Sequence, residues 1–489
     1  MRKFLLGAAA PVALAAAFVP AGHIPSAAAQ QAAAITASER RQGAEAHPSI
    51  VNQFGGAYAG PQAGYAARVG QRIGSRSGLG AAPQNYNVTL LNSPVNNALA
   101  IPGGYVYVTR QLMALMNDEA ELAAVLGHEV GHVAARHSAR RQSVATRNSI
   151  LGAIGQVLVS TATGNSQLGS ILSRGIGAGT QIATLGYSRK QETQSDDLAV
   201  RYLAGAGYDP AALATMLESL AAQEALDQRI AGTARSAPAW ASSHPEPAAR
   251  VQRARAQAAR AGAGGERNRD AYLAAIDGMM YGEDPRQGVI EGREFLHPEA
   301  GFAFTIPAGF AMQNGAEAVS ISGPNAQAVF AGGESRGDLE AYVDSVVRSL
   351  GSGQGVAQAR VERTSINGLP AAYAQFRAAS GQQPVDVTVF AYGLPRGRAY
   401  HFTVLTPAGS GPGALAPMLE SFRTLSASQS AAIRPRFVRV VTVGPRDTIA
   451  SLSARMAYPD YRVERFRVLN RLSGNTPPAA GTRVKIVTY

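Results

Sequence analysis

His128, Glu129 and His132 stand in the spacing H-E-x-x-H. On an α-helix, residues four apart share a face, so the two imidazoles can grip a single cation. Glu129 is rotated off that face, where it can act on water rather than hold the metal. The flanking residues read as helix: Asp118 and Glu121 form a capping-box pattern, and Leu122, Val125, Leu126, Glu129 and Val133 follow helical spacing. The plainer alternative is a helix with two solvated or core histidines.

A zinc site needs a third protein ligand and keeps the fourth position for water. His137 is one candidate, but the extended three-histidine pattern wants glycine at 135 and histidine at 138, where this chain has Ala135 and Ser138. The other is Glu192, at the start of a second helix running from Ser188 towards Leu203. Glu192 and Asp196 are four apart and share a face. Glu192 can bind the metal while Asp196 accepts a hydrogen bond from a ligating imidazole. An acidic helix N-terminus favoured by the macrodipole accounts for Asp197 better than for Glu192. The residues read as a zinc site of His128, His132 and Glu192, with one Zn2+ per chain.

With the segments Asn97–Thr109 and Ser243–Arg250, these residues resemble the gluzincin (Ste24-type) peptidase family that contains HtpX, the CAAX-prenyl protease and the soluble periplasmic BepA-like members. The resemblance spans His47 to Arg253. It implies a mainly helical zincin-type domain with a small sheet, in which a peptide lies extended along the strand of Ala98 and Ala100. His244, by itself an ordinary loop histidine before a proline, would then face the cleft. There it either hydrogen-bonds the oxyanion or fills the open zinc position at rest. Arg250 either orients substrate or braces that loop.

At 489 residues the chain has room for two to four domains. It has no cysteine, which excludes disulfides, thiolate zinc ligands and a lipidated N-terminal cysteine. Residues 1–29 read as a cleavable signal peptide: Arg2 and Lys3, an apolar run to Val19, then small residues at Ala27-Ala28-Ala29. An uncleaved anchor is the alternative, but the run is short and broken by proline. Loss of Arg2 and Lys3 takes the net charge from +12 to +10. A basic exported protein suits anionic envelope surfaces and peripheral membrane contact, and no nucleic-acid motif is present. The expected location is the periplasm, possession of a membrane span being argued against by the lack of any later 18-residue apolar run.

The chain divides as a flexible Ala/Gln-rich leader at 30–46, the peptidase domain at 47–261, a linker at 262–295 with a short amphipathic helix around Ala271 to Met280, an α+β domain at 296–428 and a small domain at 437–489. Within the first domain, Asn87–Leu91 is predicted as a strand, with a strand pair around Pro102-Gly103-Gly104 and helices near 65–73, 210–228 and 247–260. The Gly-rich stretch 149–187 reads either as a mobile flap over the cleft or as loosely packed core helices. The order of elements in 296–428 resembles a PsbP-like sandwich, a binding or spacing module without a catalytic constellation. Residues 437–489 resemble a LysM βααβ module, implying either peptidoglycan binding or a structural cap; Gly444-Pro445-Arg446-Asp447 departs from the usual motif.

The expected fold class is therefore α+β. The expected function is a zinc endopeptidase that cleaves unfolded or misassembled exported proteins near the outer membrane, with Glu129 as base. The competing readings are a non-proteolytic periplasmic chaperone or cell-wall adaptor on a peptidase fold, and a small-substrate metal hydrolase.

Overall fold

The computed structural model describes residues 34–79, 86–137, 187–231, 244, 247–262, 264–350, 359–380, 383–474 and 476–489. The signal segment 1–29 and all of the proposed flap except Tyr187 lie outside the described residues. The first region opens with helices α1 (Ala37–Gln53) and α2 (Pro61–Gly74), followed by strands β1 (Asn87–Leu91), β2 (Ala98–Ile101) and β3 (Tyr105–Thr109). Then come helices α3 (Arg110–Leu115), α4 (Glu119–Ala134), α5 (Arg189–Gly205), α6 (Ala212–Ala231), α7 (Pro247–Ala261) and α8 (Arg269–Ile276). The sheet order is β1-β3-β2, with β1 parallel and β2 antiparallel to β3. The expected hairpin turns at Gly103 and Gly104, whose φ of 92° and 84° lie where glycine is favoured. β2 is thus an edge of this sheet.

Helix α4 is buried on every side from Ala120 to His132, which explains a sequence more apolar than a surface helix would carry. Its cap differs slightly from the expected box. Asp118 accepts the N–H of Glu121 at 2.9 Å, but Glu121 reaches back to the N–H of Asn117 at 2.8 Å, one residue before the cap.

Two segments are more ordered than their composition suggests. Residues 37–46, read as part of a flexible leader, are helical; Thr36 and Glu39 cap α1 reciprocally. Residues 262–295, read as a linker with a short helix around 271–280, carry that helix as α8 and, beyond it, strand β4 (Met280–Tyr281) and the first strands of the next sheet. Arg267 in this segment pairs with Asp118 at 3.1 Å and Asp209 at 2.9 Å, tying it to the start of α4. Composition misled here because the glycines sit at turns between packed elements.

The middle module is a three-layer α+β arrangement. One sheet holds β5 (Val289–Glu291), β6 (Glu294–His297), β7 (Phe302–Thr305) and β15 (Arg423–Thr424), in the order β15-β7-β6-β5. The other holds β8 (Ala311–Asn314), β9 (Ala318–Gly323), β10 (Ala326–Glu334), β11 (Val361–Ile366), β12 (Leu369–Ser380), β13 (Gln383–Leu394) and β14 (Arg398–Pro407), ordered β11-β12-β13-β14-β10-β9-β8. Phe295, Phe302, Phe304, Phe330, Phe402 and Phe422 fill the space between the sheets. Helix α9 (Leu339–Leu350) covers the far face of the larger sheet through Tyr342, Val343, Val346 and Val347.

That face includes a buried histidine. His401 is buried, with Nδ1 2.8 Å from the Tyr342 hydroxyl, and burial pushes its imidazole down from 6.5 to about 4. Above pH 6.5 the ring is neutral in folded and unfolded chains alike. As pH falls from 6.5 towards 4, only the unfolded chain takes up the proton, so about 3 kcal/mol of stability is lost across that window. Urea unfolding of this module between pH 7.5 and 4 should show the loss, and His401→Gln, which cannot titrate, should flatten it.

The chain ends with the order expected of 437–489: strand β16 (Arg436–Thr442), two helices, α12 (Ile449–Ala454) and α13 (Arg462–Leu469), and strand β17 (Arg483–Thr488). Two short helices, α10 (Ala416–Glu420) and α11 (Ala427–Ala432), precede it. β16 and β17 pair antiparallel, and β4 adds a third strand. No helix among the described residues is long and apolar enough to cross a membrane.

Candidate active site

Two glycines on α4 set the site. A Cβ on Gly131 would lie 3.2 Å from the Ser195 carbonyl oxygen and 3.3 Å from Leu198 Cβ; one on Gly127 would lie 3.6 Å from Ala199 Cα. Their small size lets α4 and α5 pack closely, and that contact carries Glu192 to the histidine pair. α5 begins where it does because Ser188 and Gln191 cap it reciprocally.

His128, His132, Glu192 and His244 are all buried, and one donor atom from each lies within 4.8 Å of the others. His128 Nε2 is 3.0 Å from His132 Nε2, and these two nitrogens are 3.5 and 3.4 Å from the Glu192 carboxylate oxygens. His244 Nδ1 is 3.0 Å from Glu192 Oε1 and 3.2 Å from His128 Nε2. Its Nε2 faces Glu129 Oε1 at 3.3 Å, without hydrogen-bonding geometry. Three imidazoles and a carboxylate are donors that zinc accepts. Glu129 gives a second, independent sign: both its carboxylate oxygens are buried with no hydrogen bond among the described residues. Such a group is retained against its desolvation penalty where something else must meet it. The residues fit a zinc site.

Asp196 accepts His128 Nδ1 at 3.0 Å, orienting that ring with its other nitrogen towards the cluster. Arg250, on α7, donates to both Asp196 oxygens at 2.9 and 2.6 Å and to Glu192 at 2.5 Å. It therefore braces the two acidic residues from behind. The electrostatics follow. Burial would lower His128, but the carboxylates of Glu192 and Asp196 hold it up at about 9. Burial pushes Glu129 up, partly offset by His244 and His128. Glu192 is held far below the usual carboxylate range, the neighbouring His244 and His128 outweighing its burial. Burial drives His132 well down.

Ala98 and Ala100 also lie near α4, but their side chains are buried in the core. Only their backbone is available at the β2 edge. Ser243, Pro245 and Glu246 lie outside the described residues, whereas His244 is among them.

Two neighbours of His132 have contacts that the sequence does not announce. Tyr187 stacks on His132 with ring centroids 3.5 Å apart, and nothing in its spacing marks it. His137 is no member of the donor cluster, yet its Nδ1 is 2.8 Å from His132 Nδ1 and its Nε2 is 3.1 Å from Gln194 Oε1. With the Gln194 oxygen accepting from Nε2–H, His137 Nδ1 can accept from His132, leaving His132 Nε2 unprotonated for a metal. Arg136, at φ 50°, turns the chain so that His137 folds back, and it is anchored to Glu39 of α1 at 3.0 Å. His137→Ala should lower zinc affinity about 10- to 100-fold, as loss of a ligand-orienting partner does. Competition with a chromophoric chelator measures this; unchanged affinity would reduce His137 to packing.

Residues 61–258 match the model of peptidase family M48. This stretch is an M48 peptidase domain. Over 176 residues the chain is 32% identical to the beta-barrel assembly-enhancing protease of Escherichia coli O157:H7, covering 35% of this chain and 34% of that protein. It is 28% identical over 218 residues to the mitochondrial metalloendopeptidase OMA1 of Schizosaccharomyces pombe, covering 44% and 59%. The metalloprotease LoiP of Escherichia coli K12 is 34% identical over 143 residues, covering 29% and 53%. The chain thus spans about a third of the length of the first of these relatives. The solution structure of cyanobacterial PsbP from Synechocystis sp. PCC 6803 is 15% identical, covers 28% of this chain and 98% of that one, and gives a TM-score of 0.22. That likeness is too slight to bear on the middle module.

Proposed function

We propose that the M48 domain is a zinc-dependent endopeptidase of the periplasm that cleaves unfolded or misassembled exported proteins. The observation that carries this reading is the convergence of His128, His132, Glu192 and His244 beside the unbonded carboxylate of Glu129. His128, His132 and Glu192 would hold zinc, which when bound acts as a Lewis acid on water and on a peptide carbonyl.

Glu129 takes the proton of the attacking water and returns it to the leaving amine. Its buried oxygens, without a hydrogen bond among the described residues, suit both transfers. Asp196 and Arg250 keep His128 and Glu192 in place. His244 sits where a fourth ligand would and must swing aside before substrate enters; displaced, it can donate to the oxyanion, a contribution of about 3 kcal/mol. As a sheet edge among the described residues, β2 suits an extended chain bound through its main chain, which favours unfolded substrates over folded ones. Location rests on the signal-like residues 1–29, and contact of residues 437–489 with peptidoglycan rests on resemblance alone.

The test is incubation of residues 30–489 with an unfolded protein such as β-casein. Cleavage should occur with zinc, stop with 1,10-phenanthroline and return when zinc is restored. A chain that keeps unfolded protein soluble without cutting it would be a chaperone instead. Cleavage confined to one folded partner would sink the quality-control reading.

A further inference from the structure

Between β6 and β7 of the smaller sheet and β10 and β14 of the larger lies a cavity of about 750 Å3, a volume typical of small-ligand pockets. It is remote in sequence from the zinc site and draws nothing from it. Phe302, Phe330 and Tyr400 form its aromatic wall, and the backbone of Gly332 and Gly333 forms another side. Gly332 lies opposite Tyr400 in the β10–β14 ladder, and a Cβ there would fall 2.6 Å from the Tyr400 ring. Glycine therefore lets the Tyr400 ring lie flat against the β10 backbone, which fixes the ring in the cavity lining.

The mouth is built from two turns held together: Ser335 donates through both its N–H and its hydroxyl to the Gly397 carbonyl, at 2.8 and 3.0 Å. These turns present Arg336, Arg396 and Arg398. Arg336 and Arg396 have φ of 50° and 66°, a region that residues other than glycine seldom occupy. Strain of this kind, kept in a locked turn, points to a functional requirement for the side chain it displays. None of the three arginines has an ion-pair partner among the described residues; the Arg398 guanidinium lies over the Tyr400 ring at 5.5 Å. Arg286 also lines the cavity but is paired with Asp284, and the carboxylates of the lining are Glu317 and Glu334. Arginines exceed carboxylates. Guanidinium groups that stack on rings and fork onto planar anions, above an aromatic wall, select for charge and flatness together.

We propose that this cavity binds a small organic anion, a carboxylate or phosphate ester carried on a flat apolar ring. The middle module is then a ligand-binding domain joined to a peptidase, and the site would stand whether or not the peptidase reading holds.

The probe is 8-anilinonaphthalene-1-sulfonate, followed by fluorescence on the full chain. One saturable site per chain is expected. Arg336→Gln with Arg396→Gln should weaken it about tenfold or more, the loss of charge-assisted contacts. Ala316→Trp, placed at the cavity mouth, should do the same by blocking entry, with the thermal unfolding of both variants unchanged. Benzoate or phenyl phosphate should displace the probe, the stronger of the two naming the anion, while neutral benzyl alcohol should not. The proposal falls if the intact chain shows no saturable binding, if both variants bind as well as the parent, or if benzyl alcohol competes equally.

Discussion

Glu129→Gln is expected to lower cleavage of an unfolded protein by about 10²- to 10⁴-fold, the range that a positioned general base contributes, while leaving zinc binding within a few-fold of the parent. The argument rests on the difference between Glu129 and its neighbours. His128, His132 and Glu192 have their donor atoms engaged by one another and by their neighbours, whereas both Glu129 oxygens are buried with no hydrogen bond among the described residues. Glutamine keeps the size and polarity and removes only the ability to take a proton. A purely structural Glu129 predicts the opposite pattern, in which glutamine costs stability or metal and spares turnover. Single-turnover cleavage, zinc content and unfolding of the two proteins side by side separate these cases. Equal cleavage by both would place the base elsewhere.

The centre of this site was legible in the sequence because its chemistry is local. Two imidazoles four apart on a helix need only that helix to meet, and α4 is set by Asp118 and an apolar register that the sequence shows. Glu192 and Asp196 were legible for the same reason, one turn apart on a capped helix. His137 fails the ligand pattern in sequence, and its contact with His132 depends on the left-handed turn at Arg136, a conformation an arginine does not announce. Tyr187 likewise owes its place to tertiary packing against His132. In the rest of the chain the strands and helices of 296–428 followed period-two and helical patterning. The pieces misjudged, 37–46 and the parts of 262–295 outside the expected helix, are short polar or glycine-punctuated segments whose order comes from contacts with distant residues such as Arg136 and Asp118.

Lys485→Ala is expected to destabilise the M48 domain and the C-terminal unit together, by about 3–5 kcal/mol. Lys485 lies on β17, fully buried, and its Nζ donates to the carbonyls of Ala114, Leu115 and Met116 at 2.8, 3.2 and 2.5 Å. Those are the carbonyls at the end of α3, where a helix leaves acceptors unsatisfied and a cation is favoured. Burial pushes the ammonium well below its ordinary value, with Glu121 and Asp118 nearby drawing it back up. Arg471 adds an ion pair to Glu121, the residue that closes the start of α4. The last strand of the chain therefore braces the turn that leads into the helix bearing His128 and His132. Removing the ammonium takes a donor from three buried carbonyls, of which, among the described residues, Leu115 alone keeps the Asn117 side-chain amide at 3.2 Å, and leaves a hole in the contact, so the two units should unfold in one shared, earlier transition, followed by urea titration with fluorescence and circular dichroism. If the variant instead melted residues 437–489 separately, with the M48 transition unmoved, the C-terminal unit would be an appendage, and its docking would have no bearing on the zinc site.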